Sequence, residues 1–195
     1  MKKNNQWIDE HTWNEFKQGN EEAFKVIYTK HYTVLFNYGL KLVQEPDRSE
    51  DAVQELFLRL WKNRAHLGGI KSPKAYLFKS LRGILIDYNR KDQSKKRLAD
   101  HTHFEDINLS VEDIVINDEI SHERKTRLQQ CLDQLSNRQK EVIYLKFYDG
   151  LSYNEISEIL EINNQSVRNN VYEAIKALKK HLLSCSLALT YLLST

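Results

Sequence analysis

Residues 149–182, DGLSYNEISEILEINNQSVRNNVYEAIKALKKHL, decide the fold of the second half of the chain. Ser152, followed three positions later by Glu155, forms a capping-box pattern, which predicts that a helix begins there. A three-residue turn over positions 161–163 precedes a longer helix that starts at about Asn164. Two helices joined by so tight a turn predict a helix-turn-helix.

The longer of these helices has one apolar and one polar face. At about 3.6 residues per turn, its apolar residues fall within little more than a quarter-turn. Side-chain amides can pair bidentately with adenine and arginine with guanine, so the polar face is suited to reading DNA. A plain antiparallel helix pair with a solvated polar face remains the alternative. The apolar stripe comprises Val167, Val171, Ala174, Ile175, Leu178 and Leu182, and the polar face comprises Gln165, Asn169, Tyr172, Glu173, Lys176 and Lys180, with Arg168 on its flank.

The composition predicts an all-α protein. The 195 residues include only six glycines and two prolines, too few for the turns of a β-sandwich or for a glycine-rich phosphate loop. No Ser/His/Asp set or metal cluster is apparent, so we expect neither an enzyme nor a cofactor. Two cysteines, Cys131 and Cys185, are too few for a disulfide scaffold and favour a reducing, cytoplasmic location.

The chain ends give no targeting or membrane signal. The polar residues that follow Met1-Lys2-Lys3 do not form the apolar core of a secretion signal. The apolar tail from Leu182 to Leu193 is shorter than the ~20 residues that span a bilayer. We therefore expect no membrane insertion, and we expect the tail to continue the last helix or to contact a partner.

The charges divide the chain into three parts. Residues 1–99 carry a net charge of +7, residues 100–122 a net charge of −7, and residues 123–195 a net charge of +2. This partition predicts two helical domains, 1–99 and 123–195, joined by an acidic linker over 100–122. The basic blocks indicate a polyanionic partner, although charges that simply solvate helices would give the same pattern.

The first domain contains three further helices with recognisable boundaries. One runs over residues 21–43, a second from about Ser49 to His66, and a third from Pro73 to about Asp92, with Ser72 as its N-cap. On the second helix, Leu58 lies in the middle of a polar face that also carries Asp51, Gln54, Glu55 and Lys62. This indicates a protein-contact patch, although a single exposed leucine needs no explanation.

The third helix combines cations with aromatic residues. Lys79, Arg82 and Arg90 are predicted to lie on one side, and Tyr76 and Tyr88 lie on the same helix. Cations interleaved with aromatic rings can bind phosphates and stack on unpaired bases. A solvated amphipathic helix with core tyrosines is the alternative.

In this order, the motifs resemble the sigma-70 family of RNA polymerase sigma factors, in the extracytoplasmic-function subfamily and close to the iron-citrate-regulator type. The resemblance rests on residues 51–61, DAVQELFLRLW, on residues 72–78, 81–82 and 87–91, and on residues 139–143, 150–156 and 165–168. The sequence departs from the family at Ser136, where proline is usual, at Ser157 and Glu161, where alanine and glycine are usual, and at Gly83, where asparagine is usual.

The resemblance implies that the first domain is sigma region 2, which binds core RNA polymerase and captures the minus-ten element. The second is then sigma region 4, which reads the minus-thirty-five element of promoter DNA. The acidic linker would thread toward the RNA channel of the polymerase, and a membrane-bound anti-sigma factor is a further implied partner; no small-molecule substrate is implied. The implied polymerase contacts are Asp51, Gln54, Glu55 and Leu58; the minus-ten contacts are Gly69, Lys71, Tyr76, Lys79, Arg82, Asn89, Arg90 and Lys91; the minus-thirty-five contacts are Lys140, Gln165, Ser166, Arg168, Asn169, Tyr172 and Lys176.

Two other functions remain open on the residues alone. A helix-turn-helix regulator that acts without polymerase docking would bind duplex DNA by itself. A helical protein-interaction adaptor would account for Leu58 and the apolar tail but not for the polar recognition face.

Overall fold

The computed structural model describes residues 8–93, 104, 107–113 and 122–182. The basic run at 95–97 and nearly all of the apolar tail lie outside these residues, so the predictions for them are not addressed. The regular elements of the described residues are all helices, with no strand among them, which confirms the all-α prediction. The chain divides into two compact units, Met1–Thr102 and His103–Thr195.

The first unit contains four α-helices packed around one core. They are α1 (Glu10–Lys17), α2 (Glu21–Val43), α3 (Pro46–Asn63) and α4 (Pro73–Gln93), and a single 3₁₀ turn (Arg64–His66) follows α3. Helices α2, α3 and α4 pack against one another, and α1 packs on α2. Their shared core is made of large apolar side chains with almost no exposed surface, among them Ile27, Leu35, Tyr38, Leu56, Leu60, Phe78, Leu81 and Leu85.

Helix α3 begins three residues before the predicted start. Pro46 occupies its first turn, where a missing backbone N–H costs nothing, so the proline starts α3 rather than only ending α2. Ser49 is therefore inside the helix and fully buried, and its Oγ donates a 2.8 Å hydrogen bond to the carbonyl of Phe36. A Cβ at Gly39 would lie 2.4 Å from the Ser49 Oγ, so only glycine allows this close approach of α2 and α3.

The second unit is built around a long final helix. It contains α5 (His122–Asp133), α6 (Asn137–Ile143), a π-helical turn (Tyr144–Tyr148), α7 (Tyr153–Leu160) and α8 (Asn164–Leu182). Helix α8 packs on α5, α6 and α7. Of the predicted apolar stripe of α8, the buried members are Val167, Val171, Ala174 and Leu178, whereas Ile175 is half-buried.

Two helices of this unit begin with a capping box, of which one was predicted. Ser152 and Glu155 form the predicted capping box in front of α7. Ser136 and Gln139 form a second capping box in front of α6. Serine at position 136 accepts from the backbone N–H of Gln139, so it starts the helix without the proline that is usual in the family.

Part of the predicted acidic linker packs on the second unit. Phe104, Ile107, Leu109 and Val111 are buried, and the 3₁₀ turn Val111–Asp113 contacts α5. The spacing of these apolar residues, two or three positions apart, was the signal in the sequence that the segment packs on a core. The negative charge of the segment obscured this signal. The domain limits 1–99 and 123–195 remain a prediction.

Two side-chain amides hold the backbone of this segment. Asn137 Nδ2 donates to the carbonyl of Phe104 (2.9 Å), and Asn137 Oδ1 accepts from the N–H of Ile107 (3.2 Å). Gln129 Nε2 donates to the carbonyl of Leu109 (3.0 Å), and Gln129 Oε1 accepts from the N–H of Val111 (3.1 Å). Each amide thus bonds one backbone N–H and one backbone carbonyl of the segment. Without the amide, these groups would be partly buried with no hydrogen-bond partner.

We expect Leu109→Ala to loosen this segment and the helix beneath it. Removing a buried leucine side chain costs about 2–5 kcal/mol when the cavity does not collapse. Hydrogen exchange of the full chain, followed by mass spectrometry, should show faster exchange in α5 for this variant. Asn108→Ala is the matched control, because Asn108 lies in the same segment and is exposed. Equal protection in both variants would contradict the packing.

Candidate polymerase and nucleic-acid interfaces

The polar face of α8 is solvent-exposed, as predicted. Gln165, Asn169, Tyr172 and Lys176 recur at intervals of three and four residues, so they form one stripe along the helix. Gln165 Nε2 donates to Asn169 Oδ1 (2.9 Å), and the Tyr172 side chain is 63% exposed. Arg168 is exposed on the flank of this stripe. The stripe therefore presents amides, a phenol and cations to solvent.

The two remaining predicted residues of this set are half-buried. Ser166 follows Asn163, whose Oδ1 accepts from the Ser166 N–H (2.7 Å) and caps α8. Lys140 lies on α6. Thus α8 brings six of the seven predicted residues together, and Lys140 comes from a different helix of the same unit.

The turn between α7 and α8 forms without the glycine usual in the family. Glu161 adopts the left-handed conformation, with φ of 54°, which a side chain other than glycine reaches at a cost of about 1 kcal/mol. Ser157 Oγ donates a 2.6 Å hydrogen bond to the carbonyl of Ile162 inside the turn. Serine at position 157 thus supplies a hydrogen bond that alanine, the usual residue, cannot make. This bond lies in the same turn in which Glu161 replaces the usual glycine.

The exposed face of α3 borders an apolar groove. The Leu58 side chain is 70% exposed, the most exposed of the large apolar side chains that the structure describes. Beside it lies an open groove of about 490 Å³ between α2 and α3. The groove extends the single exposed leucine into a larger apolar surface, lined by Glu21, Phe24 and Tyr28 of α2 and by Gln54, Phe57, Leu58 and Trp61 of α3. The contribution of α2 to this surface was not predicted from the sequence, because no local pattern indicates which helix packs beside α3.

The four predicted polymerase contacts lie on α3 but differ in their availability. Asp51 and Gln54 are exposed, and Gln54 Nε2 donates to Glu50 Oε1 (3.2 Å). The Glu55 carboxylate accepts a 2.6 Å hydrogen bond from the Tyr88 hydroxyl of α4 and pairs with Arg59. Glu55 therefore joins α3 to α4 within the unit.

The hydrogen bond between Tyr88 and Glu55 shifts the pKa of both side chains. Burial, reinforced by the bond to Glu55, raises the pKa of Tyr88 to about 12. The same bond, together with the charge of Arg59, lowers the pKa of the Glu55 carboxyl. The raised pKa of Tyr88 stabilises the fold below pH 10 and this contribution is lost as pH rises toward 12. The lowered pKa of Glu55 stabilises the fold at neutral pH and is lost in acid.

We expect Tyr88→Phe to lower the free energy of unfolding of the first unit by about 1 kcal/mol at pH 7, since a partly exposed bond to a charged group is lost. The three tryptophans, at positions 7, 13 and 61, all belong to this unit, so urea unfolding followed by tryptophan fluorescence reports on it. The variant should also lose tyrosinate absorbance that appears near pH 12. Tyr28→Phe is the control, and an equal loss of stability in it would contradict a specific Tyr88–Glu55 contribution.

The predicted basic surface of α4 needs one correction. Lys79, Arg90 and Lys91 are exposed, with Arg90 Nη2 2.9 Å from Asp87 Oδ1, but Arg82 is only 5% exposed. The prediction that Arg82 shares an exposed side with Lys79 and Arg90 is therefore wrong. Position 82 lies four residues after Phe78 and three before Leu85, both fully buried, so its side of α4 faces the core.

The other residues of the predicted minus-ten set lie at both ends of α4. Tyr76 is half-buried, with its ring 6.5 Å from that of Trp13, and Asn89 is half-buried near the end of the helix. Gly69, with φ of 77°, and Lys71 are exposed in the loop that precedes α4. A Cβ at Gly83 would meet no atom within 4 Å, so a side chain would fit there.

Two kinds of feature are absent from the described residues. They contain no group of three or more His, Cys, Asp or Glu side chains that could hold a metal ion. Within the same part of the chain, no helix is long and apolar enough to cross a membrane.

Both units match known protein families. Residues 27–95 match the family described as Sigma-70 region 2, and residues 125–178 match that described as Sigma-70, region 4; together the two matches cover more than half of the chain. The first contains most of α2 and all of α3 and α4, and the second contains the helix-turn-helix.

Similar proteins match along most of this chain. The ECF RNA polymerase sigma factor SigK of Mycobacterium ulcerans (strain Agy99) is 25% identical over 163 residues, which cover 83% of this chain and 87% of that protein. The ECF RNA polymerase sigma factor SigX of Bacillus subtilis (strain 168) is 27% identical over 164 residues, which cover 83% of this chain and 84% of that protein.

Two solved structures share the fold. CnrH in complex with the cytosolic domain of CnrY has a TM-score of 0.60 and 19% identity, and the match covers 92% of this chain and 99% of that one. The sigma factor RpoE in complex with the anti-sigma factor NepR, from Bartonella quintana, has a TM-score of 0.58 and 21% identity, with coverage of 83% and 97%.

Proposed function

We infer that this chain, which belongs to the sigma-70 family and to its extracytoplasmic-function group, is an alternative sigma factor. It binds core RNA polymerase, recognises promoter DNA and directs transcription initiation, and it is not itself an enzyme. The observation that carries this function is the pairing, in one chain, of an exposed helix-turn-helix face with a separate unit whose α3 exposes Leu58 beside an apolar groove.

We propose that α3 provides the docking surface for the polymerase. The exposed leucine and the groove beside it can bury apolar side chains of a partner, while Asp51 and Gln54 supply polar contacts around them. An apolar centre with a polar rim is the usual arrangement of a protein interface. Glu55 contributes to this surface by joining α3 to α4 rather than by a free carboxylate.

The same proposal assigns the minus-thirty-five element to α8. Its exposed stripe of Gln165, Asn169, Tyr172 and Lys176, with Arg168 beside it, offers the side chains that read base edges in the major groove. Ser166 and Lys140 are assigned to phosphate contacts at the borders of this face.

The minus-ten element is assigned to α4 and the loop before it. Lys79, Arg90 and Lys91 provide exposed positive charge, while Tyr76, Asn89, Gly69 and Lys71 complete the set. Arg82 is excluded from this assignment, because its burial removes it from the surface that DNA could reach.

Four further features belong to the proposal. The likeness of the motifs, taken together, to the iron-citrate-regulator type is the basis for proposing that type within the family. A cytoplasmic location follows from the requirement for core polymerase. An anti-sigma factor is the expected inhibitor, since both solved structures described above were obtained with a second protein bound. The acidic linker over residues 100–122 is proposed to thread toward the RNA channel, and domains 1–99 and 123–195 to dock on the core polymerase.

Transcription with purified components tests the function. Core RNA polymerase with this protein should produce discrete transcripts from a library of randomised promoter sequences, and core polymerase alone should not. A helix-turn-helix regulator that acts without polymerase would instead bind duplex DNA selectively by itself and give no transcript. The promoter recovered from the library then serves as the template for the experiments below.

A further inference from the structure

Two cations that come from different elements lie close to the ring of Tyr153. The Arg168 guanidinium of α8 is 4.9 Å from the centre of the ring, and the Lys146 Nζ is 4.8 Å from it. Both distances are within the range of cation–π attraction. Tyr153 is the first residue of α7. Its ring therefore contacts Lys146 from the preceding element and Arg168 from the following helix at the start of the helix-turn-helix.

Arg168 is held at a second point. Its Nε donates a 2.9 Å hydrogen bond to Asn164 Oδ1, and Asn164 Nδ2 donates to Asn154 Oδ1 (2.5 Å). No described residue accepts a hydrogen bond from either terminal nitrogen of Arg168. The guanidinium is thus fixed through Nε and its flat face, while the two amino groups that pair with guanine O6 and N7 remain available.

Lys146 comes from the π-helical turn Tyr144–Tyr148, a rare geometry that is frequently found at functional sites. Its Nζ lies 3.4 Å from the carbonyl of Leu151, which keeps the ammonium near the ring. Among the described residues, neither Lys146 nor Arg168 has a carboxylate within 4.0 Å. Two positive charges around one ring therefore lack an anionic partner among the described residues, and a DNA phosphate would supply one.

We propose that Tyr153 is a positioning residue for promoter reading: its ring holds Arg168 ready to read one base pair and Lys146 ready to contact a neighbouring phosphate. The proposal rests on the assignment of α8 to the minus-thirty-five element. Arginine loses considerable rotamer freedom when it binds, and a side chain already held at its face and at Nε loses less. The ring thereby favours recognition of the correct base without contacting it.

Transcription by the complete holoenzyme from a promoter library randomised over the minus-thirty-five element tests the proposal. Arg168→Ala first identifies the base pair whose preference depends on that side chain. Tyr153→Leu should weaken the preference at the same base pair by about two- to five-fold, the value of an exposed cation–π contact. Tyr153→Phe keeps the ring and should retain the wild-type preference.

A second set of variants separates positioning from folding and from charge. In an Arg168→Ala background, Tyr153→Leu should add nothing at that base pair. Lys146→Ala should lower the salt dependence of promoter binding by about one counterion without changing base preference, whereas Lys125→Ala on α5 should leave both unchanged. If Tyr153→Leu fails to fold, Asn164→Ala removes the other restraint on Arg168 and should shift the same preference.

The outcomes distinguish this inference from the function on which it rests. A wild-type preference in Tyr153→Leu, alongside a lost preference in Arg168→Ala, would overturn the positioning role and leave the sigma function intact. A change confined to other base pairs would overturn it as well, because Tyr153 would then act by its own contact. An unchanged preference in Arg168→Ala would overturn the assignment of α8 itself.

Discussion

We expect Leu58→Asp to lower the affinity of this sigma factor for core RNA polymerase by about 30-fold or more. Leu58 is 70% exposed and lies at the edge of the groove between α2 and α3, so a partner side chain in the groove must contact it. A charged carboxylate inside an apolar contact is desolvated without a partner, and hot-spot residues of an interface carry about 2 kcal/mol or more of binding free energy. A titration of labelled core polymerase with the full-length protein measures the loss.

Val26→Asp provides the matched control for this experiment. Val26 is also an exposed apolar residue of the first unit, on α2, and it does not line the groove. Both substitutions place the same charge on a helix surface, so circular dichroism should show equal helicity in the two variants. Equal affinity of wild type and Leu58→Asp for the polymerase would refute the docking surface, and equal losses in both variants would show that the effect is not specific to the groove.

Replacing Arg168 with alanine should reduce promoter-specific transcription by about 5- to 150-fold, the range that corresponds to 1–3 kcal/mol for one lost base contact. The amino groups of Arg168, which donate to no described residue, and the exposed amide of Asn169 are available to base edges. The double substitution with Asn169→Ala should cost more than either alone. Run-off transcription from the selected promoter measures the effect, and the affinity for core polymerase should stay at the wild-type value.

Arg127→Ala is the control for the loss of a positive charge. Arg127 is exposed on α5, in the same unit but outside the face of α8. Non-specific attraction to DNA depends on total charge, whereas base reading depends on one side chain in one place. A similar loss in both variants would therefore assign the effect to general electrostatics and count against reading by α8.

The sequence alone was sufficient to predict the local features of this protein, namely helix capping and the faces of its helices. The capping box at Ser152 and the stripe of α8 depend on residues three or four positions apart, and the structure has them where these patterns predict. The exposure of Leu58 follows from the periodicity of α3 alone. Such features are predictable because helix capping and helix faces are decided within a few turns of chain.

The tertiary structure alone decided the remaining features. Glu55 bonds Tyr88 from 33 residues away, and Asn137 and Gln129 hold a segment 18 to 33 residues before them. The burial of Arg82 depends on which side of α4 packs on α2 and α3, and the groove beside Leu58 depends on the position of α2. Periodicity cannot reveal these features, because burial and hydrogen-bond partners depend on which distant elements the fold brings together.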